Sequence, residues 1–118
     1  MLVLEPASTA RHSRARLAGG LHRRLGAPAG MVGMSLRGLV GLLQDGLAGA
    51  GLAPGDLGYG EIHALGTPVG DAVEMTAWAR VWAGESAGVP VTRLGSHKAG
   101  FGHLEAPAGL VGVARLLG

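Results

Sequence analysis

Two histidine-bearing segments hold the residues of greatest chemical reach in this chain of 118: Ile62-His63-Ala64-Leu65-Gly66-Thr67-Pro68-Val69-Gly70-Asp71 and Gly95-Ser96-His97-Lys98-Ala99-Gly100-Phe101-Gly102-His103. Each sets an imidazole beside glycine-rich backbone that a substrate can approach closely. Two such segments in one small chain point to a shared pocket. Gly66 and Gly70 keep side chains away from His63, and Thr67 offers a hydroxyl to a polar substrate tail. His103 is expected at the start of the last helix, where free backbone N–H groups favour a neutral ring able to donate a proton to a developing oxyanion. Lys98 adds a positive charge or orients an acidic neighbour such as Glu105. With no cysteine, the chain offers no thiol nucleophile, disulfide framework or thiolate metal site.

Other chemistries fit less well. A metal site from His97, His103 and Glu105 matches neither a helical face nor the usual zinc spacing, so no metal is expected. The glycines form neither a P-loop nor a dinucleotide fingerprint. His97 reads as an exposed residue. Trp78 and Trp82, one helical turn apart, read as packing or interface residues rather than a cofactor box.

The elements that must position these groups follow from hydrophobic period and turn chemistry. Met1-Leu2-Val3-Leu4 before Glu5-Pro6 predicts a short strand ending at the proline. Leu17, Leu21 and Leu25 share a helical spacing that Gly19 and Gly20 interrupt. Ser35 caps a helix carrying Leu36, Leu39, Val40, Leu43 and Leu47, closed by Gly51, and Pro54-Gly55-Asp56 then turns the chain. Leu57 to Ala64 is a strand delivering His63 at its carboxyl end. Asp71 and Glu74 resemble a capping box opening a helix with a Val73, Ala77, Val81 stripe, closed by Gly84 and Gly88. Val89 to Leu94 is extended, and Leu110, Val113, Ala114 and Leu117 mark a last helix that starts near Glu105, with Pro107 in its first turn. Strands alternating with helices give an α/β layered domain.

Length permits one domain with a modest core, and 23 glycines with 3% aromatics leave few bulky packing groups. The net charge of +2 hides an asymmetry: Arg11, Arg14, Arg16, Arg23, Arg24 and Arg37 against Glu5 give about +5 before Gln44, and the remainder gives about −3. Such a start resembles a transit peptide or nucleic-acid arm. Without interleaved aromatics, and with Glu5-Pro6 breaking a transit helix, it reads as a solvated surface segment, with no nucleic-acid partner expected. No apolar run approaches the roughly 20 residues that span a bilayer, so a soluble, cytoplasmic chain is expected, organelle targeting by the Arg-rich start being the other option.

Taken together, the two segments resemble the histidine motifs of β-ketoacyl synthases, the ketosynthase domains of fatty acid and polyketide synthases. His63-Ala64-Leu65-Gly66-Thr67-Pro68-Val69-Gly70-Asp71-Ala72-Val73-Glu74 resembles His-Gly-Thr-Gly-Thr-x-x-Gly-Asp-x-x-Glu. Gly95 to His103, with Gly109, resembles Gly-Ser-x-Lys-x-x-x-Gly-His-x-x-x-x-x-Gly. Val3-Leu4-Glu5-Pro6 resembles the strand end preceding this half of the family's fold. The resemblance implies a thiolase-like layered α-β-α fold, present in part as the C-terminal half of a ketosynthase without its last strands. Residues 57–118 would be the motif region, and residues 1–56 a divergent N-terminal segment of the half-domain.

By the same resemblance the activity is an acyltransferase one, decarboxylative Claisen condensation of the 3-oxoacyl-[acyl-carrier-protein] synthase type. His63, His103 and Lys98 form the catalytic set, with Lys98 organising the pocket. Gly66, Thr67, Phe101 and Gly102 meet the phosphopantetheine or malonyl group. No cofactor is bound; the phosphopantetheine arm of acyl carrier protein carries the substrate. Partners implied are acyl carrier protein and a Cys-bearing N-terminal half or second ketosynthase subunit, in a homo-oligomer or hetero-association. Ala64 and Leu65 depart from the family's Gly and Thr, and Ala99-Gly100 from its Ser-Asn. Without a cysteine the chain alone is expected to give no condensation, and the competing reading is a non-catalytic interaction remnant.

Overall fold

The computed structural model describes residues 3–24, 35–83 and 93–118. Helix α1 (Leu36–Ala50) starts where the Ser35 hydroxyl accepts from the Gly38 N–H at 3.1 Å. It ends as predicted at Gly51, whose left-handed backbone (φ 69°) lets its N–H reach Leu47 and Ala48 carbonyls. A single 3₁₀ turn, Pro54–Asp56, leads into strand β1 (Tyr59–Glu61). Helix α2 (Pro68–Trp82) returns the chain, and strand β2 (Arg93–Gly95) pairs with β1 in parallel, Glu61 opposite Gly95. The short helix α3 (Lys98–Phe101) and then α4 (Ala108–Leu116) complete the chain.

A parallel pair has both carboxyl ends at one edge, which is where α/β folds place ligand sites. His63 follows β1 and Ser96-His97-Lys98 follows β2, so the ladder brings the two motifs to one edge. The ladder continues one step further, with the Ile62 N–H donating to the Gly95 carbonyl at 2.8 Å.

The buried apolar side chains among the described residues are Ala77 and Val81, both on α2 and both in the predicted stripe. Trp78 and Trp82 stack at 5.1 Å between ring centroids, and Trp82 Nε1 donates to the Pro54 carbonyl at 3.3 Å, bearing out their packing role. An open apolar cleft of about 250 Å³ between α1 and α2, lined by Leu42, Leu43, Leu47, Leu57 and Trp78, shares no residue with the histidine segments.

Several predicted elements are corrected. Val3 and Leu4 are exposed and form no strand; Met1 and Leu2 lie outside the described residues. Among the described residues the one ladder is β1 with β2, and no strand pairs with Val3 and Leu4. The segment from Ala7 to Arg24, where glycines interrupt the helical spacing, is irregular as expected, with a turn in which Thr9 and Ala10 N–H groups meet the Pro6 carbonyl; Leu25 lies outside the described residues. Helix α2 begins three residues before the predicted capping box, at a Thr67 cap, with Pro68 supplying the preset φ of a first helical position. Gly84, Gly88 and Val89–Thr92 are outside the described residues. The last helix forms as predicted, starting at Ala108, and on it Leu110 and Val113 are 62% and 46% exposed. The buried residue of α4 is Gly112, pressed against Glu61 and His97.

Candidate functional site

His63 and His103 face each other. Their ring centroids are 6.1 Å apart and their planes nearly perpendicular, at 86°. Each ring has its Nδ1 engaged. Lys98 Nζ lies 3.0 Å from His63 Nδ1 and also donates to the His63 carbonyl. The Glu105 backbone N–H donates to His103 Nδ1 at 2.9 Å. An ammonium and an amide can only donate, so both Nδ1 atoms are acceptors and both neutral rings carry their proton on Nε2. Each ring thereby keeps an Nε2–H, on a different loop, of the kind that can stabilise an oxygen on which negative charge develops.

The expected origin of the His103 tautomer changes. His103 lies in the connection between α3 and α4 rather than on the last helix, so the Glu105 amide, and not the field of a helix terminus, fixes its ring. Of the two neighbours its position allows, Lys98 bonds to His63.

The backbone of the first loop is pinned by α2. Glu74, only 6% exposed, accepts from the His63 N–H at 2.7 Å and the Ala64 N–H at 2.8 Å, one per carboxylate oxygen. Asp71 accepts from the Gly66 N–H at 3.0 Å. Both residues of the expected capping box therefore hold the histidine loop instead. Thr67 caps α2, its hydroxyl oxygen accepting from the Gly70 N–H at 3.2 Å. Gly66 and Gly102 both have left-handed φ, at 79° and 73°, and Phe101 is exposed beside Gly102.

Among the described residues, two that are not glycine adopt left-handed backbone: Ala64 (φ 45°), next to His63, and Glu105 (φ 53°), two residues past His103. Strained backbone of this kind persists where surrounding bonds over-determine it, and it concentrates at functional loops. At Ala64 the determining bond is to Glu74.

Sequence reasoning missed a second layer. His97, expected at the surface, is 5% exposed, and its backbone N–H and ring Nδ1 both meet Glu61 Oε1, at 2.5 and 3.0 Å. Tyr59 Oη donates to Glu61 Oε2 at 3.0 Å and Arg115 Nη1 donates to the same oxygen at 3.2 Å. Burial alone would raise the Glu61 carboxyl, but the His97 amide, the His97 ring, Tyr59 and the Arg115 charge outweigh it and hold it below the ordinary carboxylate range. The same contacts push the Tyr59 phenol up, by burial first and by its bond to Glu61 second.

Residues 16–117 match the family described as "Beta-ketoacyl synthase, C-terminal domain". The chain belongs to that family. Its fold is thereby thiolase-like, seen here as a small α/β unit with a two-strand parallel sheet, and the family is one of ketosynthases, enzymes of the acyltransferase type. Relatives include "Polyketide synthase ThaG" of Burkholderia thailandensis, 38% identical over 64% of this chain, and "Pikromycin polyketide synthase component PikAIII" of Streptomyces venezuelae, 37% identical over 64%. A third is "Highly reducing polyketide synthase" of Aspergillus terreus, 40% identical over 64%. The chain spans only 1%, 5% and 3% of the length of these three relatives. No solved structure matches the chain.

Proposed function

We propose that this chain supplies the malonyl-handling part of a ketosynthase acting in polyketide synthesis, with acyl carrier protein presenting the extender on its phosphopantetheine arm. The observation that carries the reading is the ring-to-ring approach of His63 and His103, each with its Nδ1 taken up by a donor and its Nε2–H left to act. In a malonyl thioester, cleavage of the bond to the carboxylate releases CO2 and leaves the electron pair in an enolate. Two N–H donors at the thioester oxygen favour that charge more than the ground-state carbonyl, which lowers the barrier. The enolate carbon then attacks an acyl thioester, forming a C–C bond and expelling thiolate. That acyl group needs a cysteine, which this chain lacks, and we assign it to another segment or subunit. Gly66, Thr67, Phe101 and Gly102 are the residues that would meet the pantetheine arm, a role supported by the left-handed glycine backbone and by the exposure of Phe101.

The test is to incubate the chain with malonyl-loaded carrier protein and follow conversion to the acetyl form. Wild-type chain is expected to decarboxylate slowly, with loss of activity in His63→Asn and His103→Asn, and to give no ketoacyl product when acyl-loaded carrier protein is added. Equal rates in wild type and both variants would defeat the proposal. A second reading, a non-catalytic interaction role, draws on the exposed Leu110, Val113 and Leu116 of α4. It predicts a stable complex with a ketosynthase that is indifferent to both histidine substitutions.

A further inference from the structure

Behind the histidine pair lies a cluster with no part in the chemistry just described. Glu61 ends β1, and its carboxylate takes four donors from three directions: the amide and ring of His97, Tyr59 from its own strand, and Arg115 from α4. Space for it is made by two glycines. A Cβ on Gly95 would stand 2.2 Å from Tyr59 Oη, and one on Gly112 would stand 3.1 Å from Glu61 Cγ. Real Cβ contacts do not come so close to the first of these, so Tyr59 reaches the carboxylate only past a residue without a side chain.

What Glu61 holds is the residue before Lys98. His97 is the N-cap of α3, and Lys98 opens that helix and places its ammonium on the Nδ1 and carbonyl of His63. A four-residue helix has little internal hydrogen bonding to fix its own orientation. The two bonds from Glu61 to His97 supply that orientation from the sheet. We propose that Glu61, acting through His97, is a positioning residue that aims Lys98 at His63 and so holds His63 in its Nε2–H tautomer. This rests on reading the histidine pair as the site, but it concerns the free chain and needs no substrate.

Long-range 15N–1H correlation spectra of the labelled full chain, recorded without substrate, read each histidine tautomer directly. Wild type should give His63 as a single Nε2–H tautomer. Glu61→Gln keeps the side chain's shape but removes its charge, and it should turn His63 into a mixture of both tautomers while leaving His103 unchanged. Lys98→Met should produce the same change at His63, and adding Glu61→Gln to Lys98→Met should add nothing further. Unchanged His63 signals in Glu61→Gln, with only a fall in Tm, would overturn the proposal. So would a second, additive shift in the double variant. If Glu61→Gln fails to fold, Arg115→Met, at a side chain 42% exposed, loosens the same carboxylate and should move His63 in the same direction by less; no movement there refutes the coupling. Failure of malonyl decarboxylation would leave these spectra as expected, so the two readings fail separately.

Discussion

Replacing Glu74 by Gln is the sharpest probe of how the first histidine loop is held. The wild-type carboxylate gives one oxygen to the His63 N–H and the other to the Ala64 N–H, from a side chain 6% exposed. Glutamine keeps the volume and one acceptor, but turns an amine toward the second N–H. A hydrogen bond to a charged partner contributes about 1.5–3 kcal/mol and a stranded buried donor costs about 1–3 kcal/mol, so the variant should lose about 3 kcal/mol. For 118 residues, with about 2.1 cal/mol/K of unfolding entropy per residue, that is a Tm lower by about 12 °C. Urea unfolding followed by Trp78 and Trp82 fluorescence reads the change, because their stack sits on the same helix as Glu74. A loss under about 0.5 kcal/mol would show that this carboxylate does not clamp the loop.

Three further outcomes follow from the same contacts. Ala64→Gly should stabilise the chain, since a left-handed alanine costs about 1–2 kcal/mol and the added freedom of glycine when unfolded takes back about 0.4–1 kcal/mol, a net gain of about 0.5–1 kcal/mol in urea unfolding; a loss would contradict strain there. Because the Glu61 carboxyl is held below its ordinary value of 4.5, its contribution is present above that pH and lost as pH falls through the folded-state value. The raised Tyr59 phenol acts at the other end, its contribution complete below 10.0 and lost as pH rises beyond. Wild type should therefore lose more stability on acidification than Glu61→Gln, and parallel curves would contradict this. Finally, a carboxylate only accepts, so His97 must carry a proton on Nδ1, opposite to His63 and His103; nitrogen NMR finding all three alike would refute the assigned network.

Much of the site is legible in the residues because its chemistry is local. Ser35 and Gly51 mark α1 by capping rules, and His63 follows a strand as its setting implies. The family resemblance ties His63 to His103, which the structure sets ring to ring. The Glu61–His97 pair is invisible in the sequence because its partners are 36 residues apart and meet only through the parallel register, which no local spacing encodes. Lys98 stands between two roles in the sequence for the same reason. On α4 the apolar period identifies the helix but not what covers its face, and small Gly112 rather than Leu110 is what fits against the cluster. The Asp71 and Glu74 spacing reads as a cap because the capping signature and a two-residue clamp on a neighbouring loop use the same acidic side chains.

Two ring nitrogens acting on one oxygen are the core of the proposed chemistry, and titration of the labelled chain with a non-decarboxylating malonyl-pantetheine analogue tests that directly. The Nε2 signals of His63 and His103 should move together, along one binding curve, and His103 should respond far more weakly in His63→Asn. Movement of one ring without the other, or two unrelated curves, would contradict a shared site.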